Sequence, residues 1–259
     1  MFLLSNLAKY GPYLGESPYS GNYNVVRRDG KIMAVFSLTR EGSLHVYSEL
    51  GEEVFHEMLD ICLQDKPSIR GVFGHWEFCY PFWEYIKGKG IVKNEILNEK
   101  DVLYSLSSSV SLGKSQKGVR FLLARDYEIW KHLRLAYCKE LGFPMLLSEK
   151  QLKDVFLEKI NERVIWGYFR EERLVSIADL NAKALDIAQL GGVYTTPKER
   201  RNGYSKLLMM DLIDDAFKIH SLRKLIIFTG EKNMAARKVY ESLGVEPIGF
   251  YALFFADSV

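Results

Sequence analysis

The sequence predicts an α/β (α+β) fold duplicated in two halves. Three observations point there. Hairpin signals recur in both halves: Asp29-Gly30 lies between two apolar segments, and the polar run Arg170-Glu171-Glu172-Arg173 lies between two more. Leu225-Ile226-Ile227-Phe228 is a continuous apolar run, as expected of a strand buried on both faces. Finally, the text from Tyr23 to Ala34 runs parallel to that from Trp166 to Ile177, which signals an internal repeat.

In the first half, Asn22–Arg27 and Lys31–Leu38 form the hairpin around Asp29-Gly30. A strand (Leu44–Tyr47), a helix (Glu52–Leu63) and a strand (Ile69–Phe73) follow. Phe82-Trp83-Glu84-Tyr85-Ile86 then stands where Val239-Tyr240-Glu241-Ser242-Leu243 stands in the second half. The aromatic segment Phe73 to Trp83 reads as packing more than as an acceptor pocket. Ser105 to Gly118, rich in Ser, Gly and Lys, reads as the linker, with domains at 1–112 and 117–259.

The second half opens with a short strand, Val119–Ala124. A helix from Asp126 carries Ile129, Trp130, Leu133 and Tyr137 on one face, and Gly142-Phe143-Pro144 stops it. Ser148 caps a second helix, Glu149 to about Glu162. Val164–Phe169 and Leu174–Leu180 are the hairpin strands, and Asp186–Thr195 is the third. Asn233 caps a helix whose Ala235, Val239 and Leu243 face one way, Gly244 ends it, and Ile248–Phe255 is the last strand.

Composition is that of a soluble globular protein: 47% hydrophobic, 26% charged and 13% aromatic over 259 residues. A net charge of +2 is too balanced to predict nucleic-acid binding. The three cysteines, Cys62, Cys79 and Cys138, are far apart and show no metal spacing, so buried thiols in a reducing cytosol are expected and no metal site is. Neither a secretory leader nor a bilayer-spanning run appears, so the expected location is the cytoplasm.

The most informative stretch is Val193-Tyr194-Thr195-Thr196-Pro197-Lys198-Glu199-Arg200-Arg201-Asn202-Gly203-Tyr204-Ser205. It reads as a strand end, a basic turn and a glycine opening a helix. The apolar stripe of that helix is Met209, Leu212, Ile213, Ala216 and Phe217. A helix starting on bare backbone aims unpaired N–H groups and its positive dipole end at one spot. Phosphate suits that spot; two arginines add charge and Gly203 lets the backbone approach. Between the third strand and its helix the first half has Ser48-Glu49-Leu50-Gly51-Glu52-Glu53 instead, which would repel phosphate.

Arg200-Arg201-Asn202-Gly203-Tyr204-Ser205 resembles the R/Q-x-x-G-x-G/A motif of the GNAT superfamily, the acetyl-CoA-dependent N-acetyltransferases, with Ser205 in place of the usual Gly or Ala. Asn233, then Tyr240 and Leu243-Gly244, resembles the N-x(6)-Y-x-x-L-G-F signature, with Val245 replacing Phe. The resemblance covers residues 117 to 256 well and the first half weakly. It implies a mixed, mostly antiparallel twisted sheet flanked by helices. It also implies that N–H groups from about Arg201 to Ser205 bind the CoA pyrophosphate and that Val193, Tyr194 and Thr195 border the pantetheine arm. Asn233 would bond that arm or a water near it, and Tyr240 would protonate the leaving thiolate. Acetyl-CoA is the implied co-substrate, and an amine, small or on a protein, the implied acceptor. A second copy of the chain is a further expected partner, whereas nucleic acid and membrane are not expected. The alternative is a non-enzymatic acyl-CoA sensor. For the general base, Asp179, Asp186, Gln189 and Glu128 stay open as candidates.

Overall fold

The computed structural model describes residues 1–64, 68–110, 112–113, 118–142 and 147–257. It divides into two compact units. The first comprises Met1–Leu103, Phe228–Asn233 and Pro247–Val259; the second comprises Tyr104–Ile227 and Met234–Glu246. The linker expected from the text divides the chain at 112–117, whereas the units divide at Leu103/Tyr104 and exchange later segments. Ser105 to Ser107 are strand residues, and positions 111 and 114–117 lie outside the described residues, as do Phe143 and Pro144 of the expected helix stop.

In the first unit, β1 (Gly21–Arg28) and β2 (Lys31–Thr39) form the expected hairpin. Asp29 and Gly30 both take positive φ, at 51° and 77°, the turn whose twist matches its strands. β3 (Ser43–Ser48) pairs antiparallel with β2, and β4 (Gly71–His75) lies parallel to β3. β11 (Glu246–Ala256), the last strand in the chain, is antiparallel to β4, and β5 (Glu95–Ser107) lies beyond it. Side chains alternate across this sheet. Leu44, Val46, Val72, Ala252 and Phe254 join the core made with α2 (Phe55–Gln64) and α3 (Trp76–Gly88). There Phe55 meets Phe78 and Phe82 edge-on, and Trp83 stacks on Phe254 at 5.3 Å. The aromatic segment is thus core, as the packing reading has it. On the opposite sheet face, the ring of Phe2 in α1 (Phe2–Tyr10) lies 5.6 Å from His45.

In the second unit the order is β10 (Lys224–Gly230), β9 (Ile187–Thr195), β8 (Arg173–Ala184), β7 (Ile165–Arg170), β6 (Val119–Phe121). Of β10, Lys224–Ile227 belong to this unit. Only the β9–β10 pairing is parallel within that series. The helices are α4 (Tyr127–Glu140), α5 (Glu149–Asn161), α6 (Tyr204–Ile219) and α7 (Met234–Glu241). Ser148 caps α5 reciprocally: its hydroxyl accepts from the Gln151 backbone N–H, and the Gln151 side-chain Oε1 accepts from the Ser148 backbone N–H.

In α4 the expected Trp130 and Leu133 are buried and Tyr137 packs against the same cluster, while Ile129 is exposed and Tyr127 takes an interior place instead. In α7, Tyr240 is buried and Ala235 exposed. Large rings take the interior positions because they bury the most area. No described helix is long and apolar enough to cross a membrane.

Phe254, fully buried on Trp83, is the packing test for the first unit. Phe254→Ala is expected to lower stability by about 3–5 kcal/mol in equilibrium urea unfolding, the usual cost of a buried aromatic truncation.

Candidate active site

The site is set by where a strand pair ends. β9 pairs with β10 only at Ile187, Ala188 and Gln189, opposite Lys224, Leu225 and Ile226. From Leu190 to Thr195, β9 continues in register with β8 but has no ladder on its other edge. Two irregularities bend it away: the β8–β9 register shifts between Ile177 and Asp179 and again between Leu180 and Ala182. Gly192 is required there: its φ is 60°, and Oδ1 of the buried Asp179 lies 2.8 Å from its missing Cβ. A Cβ at Gly191 would meet only the amide end of Asn181, an exposed side chain that can move.

The freed edge runs into one short helical turn, Pro197–Glu199, and then the basic loop. Arg201 and Gly203 take positive φ, 67° and 78°, with Asn202 between them. Alternation of this kind turns successive N–H groups to one side. Asn202 Nδ2 fastens the loop by donating to the Glu199 carbonyl at 3.1 Å. α6 has no side-chain N-cap and no acidic residue in its first turn. Among the described residues, no acceptor is present for the N–H groups from Arg201 to Lys206. Tyr204 stacks on Tyr168 at 4.6 Å, and Ser205 is half-buried.

Arg200 does something the sequence does not reveal. Its Nε donates to the Thr195 carbonyl (3.0 Å), and its other end pairs with Glu140 at 2.6 Å. The Glu140 carboxylate raises the Arg200 pKa further. The guanidinium therefore straps the strand end to the loop, and Arg201, exposed like Arg200, stands next to it in the basic loop. Glu199 lies between Arg170 (3.1 Å) and Arg173 (3.9 Å), so its charge does not offset the basic loop.

Tyr240 is buried, its ring edge-on to Tyr104 at 5.8 Å. The Tyr104 hydroxyl donates to Glu241 (3.0 Å) and accepts from Arg237 Nε (3.1 Å). In the first unit, Asn233 precedes α7. Its N–H donates to the Gly230 carbonyl at 2.8 Å and its side chain donates to Thr229 Oγ1 at 3.2 Å.

The candidate bases do not converge. Asp179 is buried and ion-paired with Lys159 at 2.7 Å. Asp186 pairs with Arg223, which holds its carboxyl below the usual range. Gln189 is buried with its amide donating to the Leu190 carbonyl. Glu128 is exposed and paired with Lys131. Each of the three carboxylates already serves a cation.

Residues 127–245 match the model of the acetyltransferase (GNAT) family. Among solved structures, a Drosophila protein is 15% identical over 93% of this chain and 80% of its own, with a TM-score of 0.69. A GCN5-related N-acetyltransferase from Kribbella flavida is 14% identical over 93% and 91%, with a TM-score of 0.61. A tandem GNAT protein from the clavulanic acid biosynthesis pathway is 12% identical over 98% and 92%, with a TM-score of 0.56. No curated protein matches the sequence. The fold is thus the mixed, mostly antiparallel GNAT fold. Residues 127–245 are a domain of the acetyltransferase (GNAT) family, as the loop and Asn/Tyr motifs imply.

The Lys159–Asp179 pair supplies a test of the site's frame. Lys159→Met leaves a buried carboxylate without its cation and is expected to cost about 3 kcal/mol or more in chemical denaturation. Adding Asp179→Leu is expected to recover most of that loss.

Proposed function

We propose that this protein is an acyl-CoA-dependent N-acyltransferase, carrying the acetyl group of acetyl-CoA to a primary amine by direct attack. One observation carries the reading: the run of unclaimed N–H groups from Arg201 to Lys206, at the start of a 16-residue helix. The pyrophosphate would lie on that run, with Arg201 beside it. The β9 edge at Val193–Thr195 would lie along the pantetheine arm, as an added strand would. The Thr195 carbonyl already takes a bond from Arg200, which leaves the Val193 groups as main-chain partners for the arm.

The chemistry needs no covalent enzyme intermediate. A neutral amine attacks the thioester carbonyl, the C–N bond forms, and the C–S bond breaks as the tetrahedral adduct collapses. The departing thiolate takes a proton, and Tyr240 is the phenol assigned to supply it.

Gly203→Asp places a Cβ and a negative charge where the anion would sit, at a φ of 78°. It is expected to weaken acetyl-CoA binding by about 100-fold, or about 2.7 kcal/mol, by calorimetry. Tyr240→Phe is expected to keep that affinity and lower kcat by about 100-fold in a thiol-release assay with an amine panel. Undiminished binding and turnover in Gly203→Asp would overturn this reading.

A further inference from the structure

Tyr240 stands on α7, the shortest α-helix described in the second unit, and that helix needs outside contacts to hold its direction. Eight residues make about two turns, too few to be stable without tertiary support. Of the eight only Tyr240 is buried. The next apolar anchors, Leu243 and Val245, come after the helix has ended. Gly244 turns the chain there at a φ of 73°, and the N–H groups of Leu243 and Val245 donate back to the Tyr240 carbonyl at 2.9 and 3.2 Å. These bonds fix the backbone at residue 240. Rotation of the helix about its axis is left to contacts further up, where Met234 and Ala235 are exposed.

Tyr104 makes such a contact. It lies on the part of β5 that belongs to the second unit, and it is fully buried. Its hydroxyl accepts from Arg237 Nε at 3.1 Å and donates to Glu241 Oε1 at 3.0 Å. Arg237 and Glu241 are four residues apart and 3.7 Å from each other, so the hydroxyl bridges an ion pair. Positions 237, 240 and 241 share one helix face, and the two charges therefore flank Tyr240. The Tyr104 ring also meets the Tyr240 ring, edge-on with centroids 5.8 Å apart and planes at 80°. One side chain thus touches the assigned proton donor with its ring and the donor's helix with its hydroxyl. Bonds from a neutral hydroxyl to charged partners are the strong, directional kind. Burial raises the Tyr104 phenol above its ordinary value, which keeps it a neutral bridge.

We propose that Tyr104 is a positioning residue: by bridging Arg237 and Glu241 it fixes the rotation of α7, and with it the attitude of the Tyr240 phenol toward the leaving sulfur. This rests on the N-acyltransferase reading, with Tyr240 as its proton donor. Proton transfer requires hydrogen-bond distance, and a misplacement of about 1 Å can cost about 100-fold in rate. Tyr104 gives its own hydroxyl proton to the bond with Glu241, so its effect runs through Tyr240.

The test is Tyr104→Phe in the full chain, which keeps the ring contact and removes both bonds to α7. Arg237 and Glu241 are 28% and 48% exposed and still have each other, so the variant strands no buried charge. It is expected to lower kcat about tenfold in the thiol-release assay, with acetyl-CoA affinity by calorimetry unchanged. A role in folding alone would act whatever residue stands at 240, whereas positioning matters only while the donor is present. Added to Tyr240→Phe, the change is therefore expected to cost nothing further, where independent effects would give a roughly thousandfold combined loss. Glu241→Gln still offers the hydroxyl an acceptor and is expected to lose less kcat than Glu241→Leu, the reverse order counting against the bridge. A second measurement does not depend on turnover. With 3-fluorotyrosine at position 240, the fluorine NMR spectrum is expected to show one narrow line for the otherwise unchanged chain. Adding Tyr104→Phe is expected to split or broaden it. Unchanged kcat in Tyr104→Phe, a further tenfold loss in the Tyr240→Phe background, or a line that stays single and narrow each overturns the inference. Full kcat in Tyr240→Phe overturns the donor assignment instead, and failure of wild type to bind acetyl-CoA overturns the N-acyltransferase reading. In both cases the fluorine spectrum still decides whether Tyr104 sets the Tyr240 ring.

Discussion

The arrangement depends on one early ending, the loss of the β9–β10 ladder after Gln189 and Ile226. Parallel neighbours normally continue to bond, because unpaired N–H and C=O groups on a strand edge are costly. Here the two register shifts against β8, and the glycines at 191 and 192, bend β9 before the ladder can extend. The exposed edge then needs partners. Arg200 satisfies Thr195, and Glu140 holds Arg200 in that position. Once the strand end is fixed, the loop has few ways to reach α6, and positive φ at Arg201 and Gly203 completes the turn. The loop geometry is thus a consequence of strand divergence, and Arg200, which the sequence marks as a ligand, is partly consumed in maintaining it.

The two halves solve the same local problem differently. In the first, the turn after β3 also leaves N–H groups facing outward. There the carboxylate of Glu53 accepts from the Gly51 N–H with both oxygens at 3.1 Å. Backbone N–H bonds hold that carboxyl below its usual range. A side chain of the protein has therefore taken the place an outside anion would need. In the second half no carboxylate of a described residue accepts from the corresponding groups, Arg201 to Lys206, and Glu199, just before them in sequence, is held by Arg170 and Arg173.

What could be read in the sequence is what local chemistry determines. Asp29-Gly30, the Ser148 cap and the Leu225–Phe228 strand need only near neighbours to specify them, and the basic turn needs only its glycine and its charges. Long-range pairing hid the rest. β5 carries Glu95, Glu99, Lys100 and Asp101 in thirteen residues, so its first part reads as solvated coil, and only burial from Asp101 onward makes it a strand. Helical spacing alone does not choose between Ile129 and Tyr127 in α4, or between Ala235 and Tyr240 in α7, and in each the larger ring is the buried one. Position along β8 and β9 marks Asp179 and Asp186 as base candidates, whereas their ion pairs with residues twenty or more positions away are not visible in local text.

The compact units are not the halves of the text. Ala252, Phe254 and Ala256, from the last strand, complete the core over Trp83, and Tyr251 to Phe255 pair with His75 to Gly71. A chain ending before β11 would leave the β4 edge unpaired and the Trp83 face uncovered. The same exchange places Phe228–Asn233 in the first unit with β5. Asn233 and the first part of β5, Glu95 to Leu103, are therefore held by one body, so their spacing is set by a single packed core.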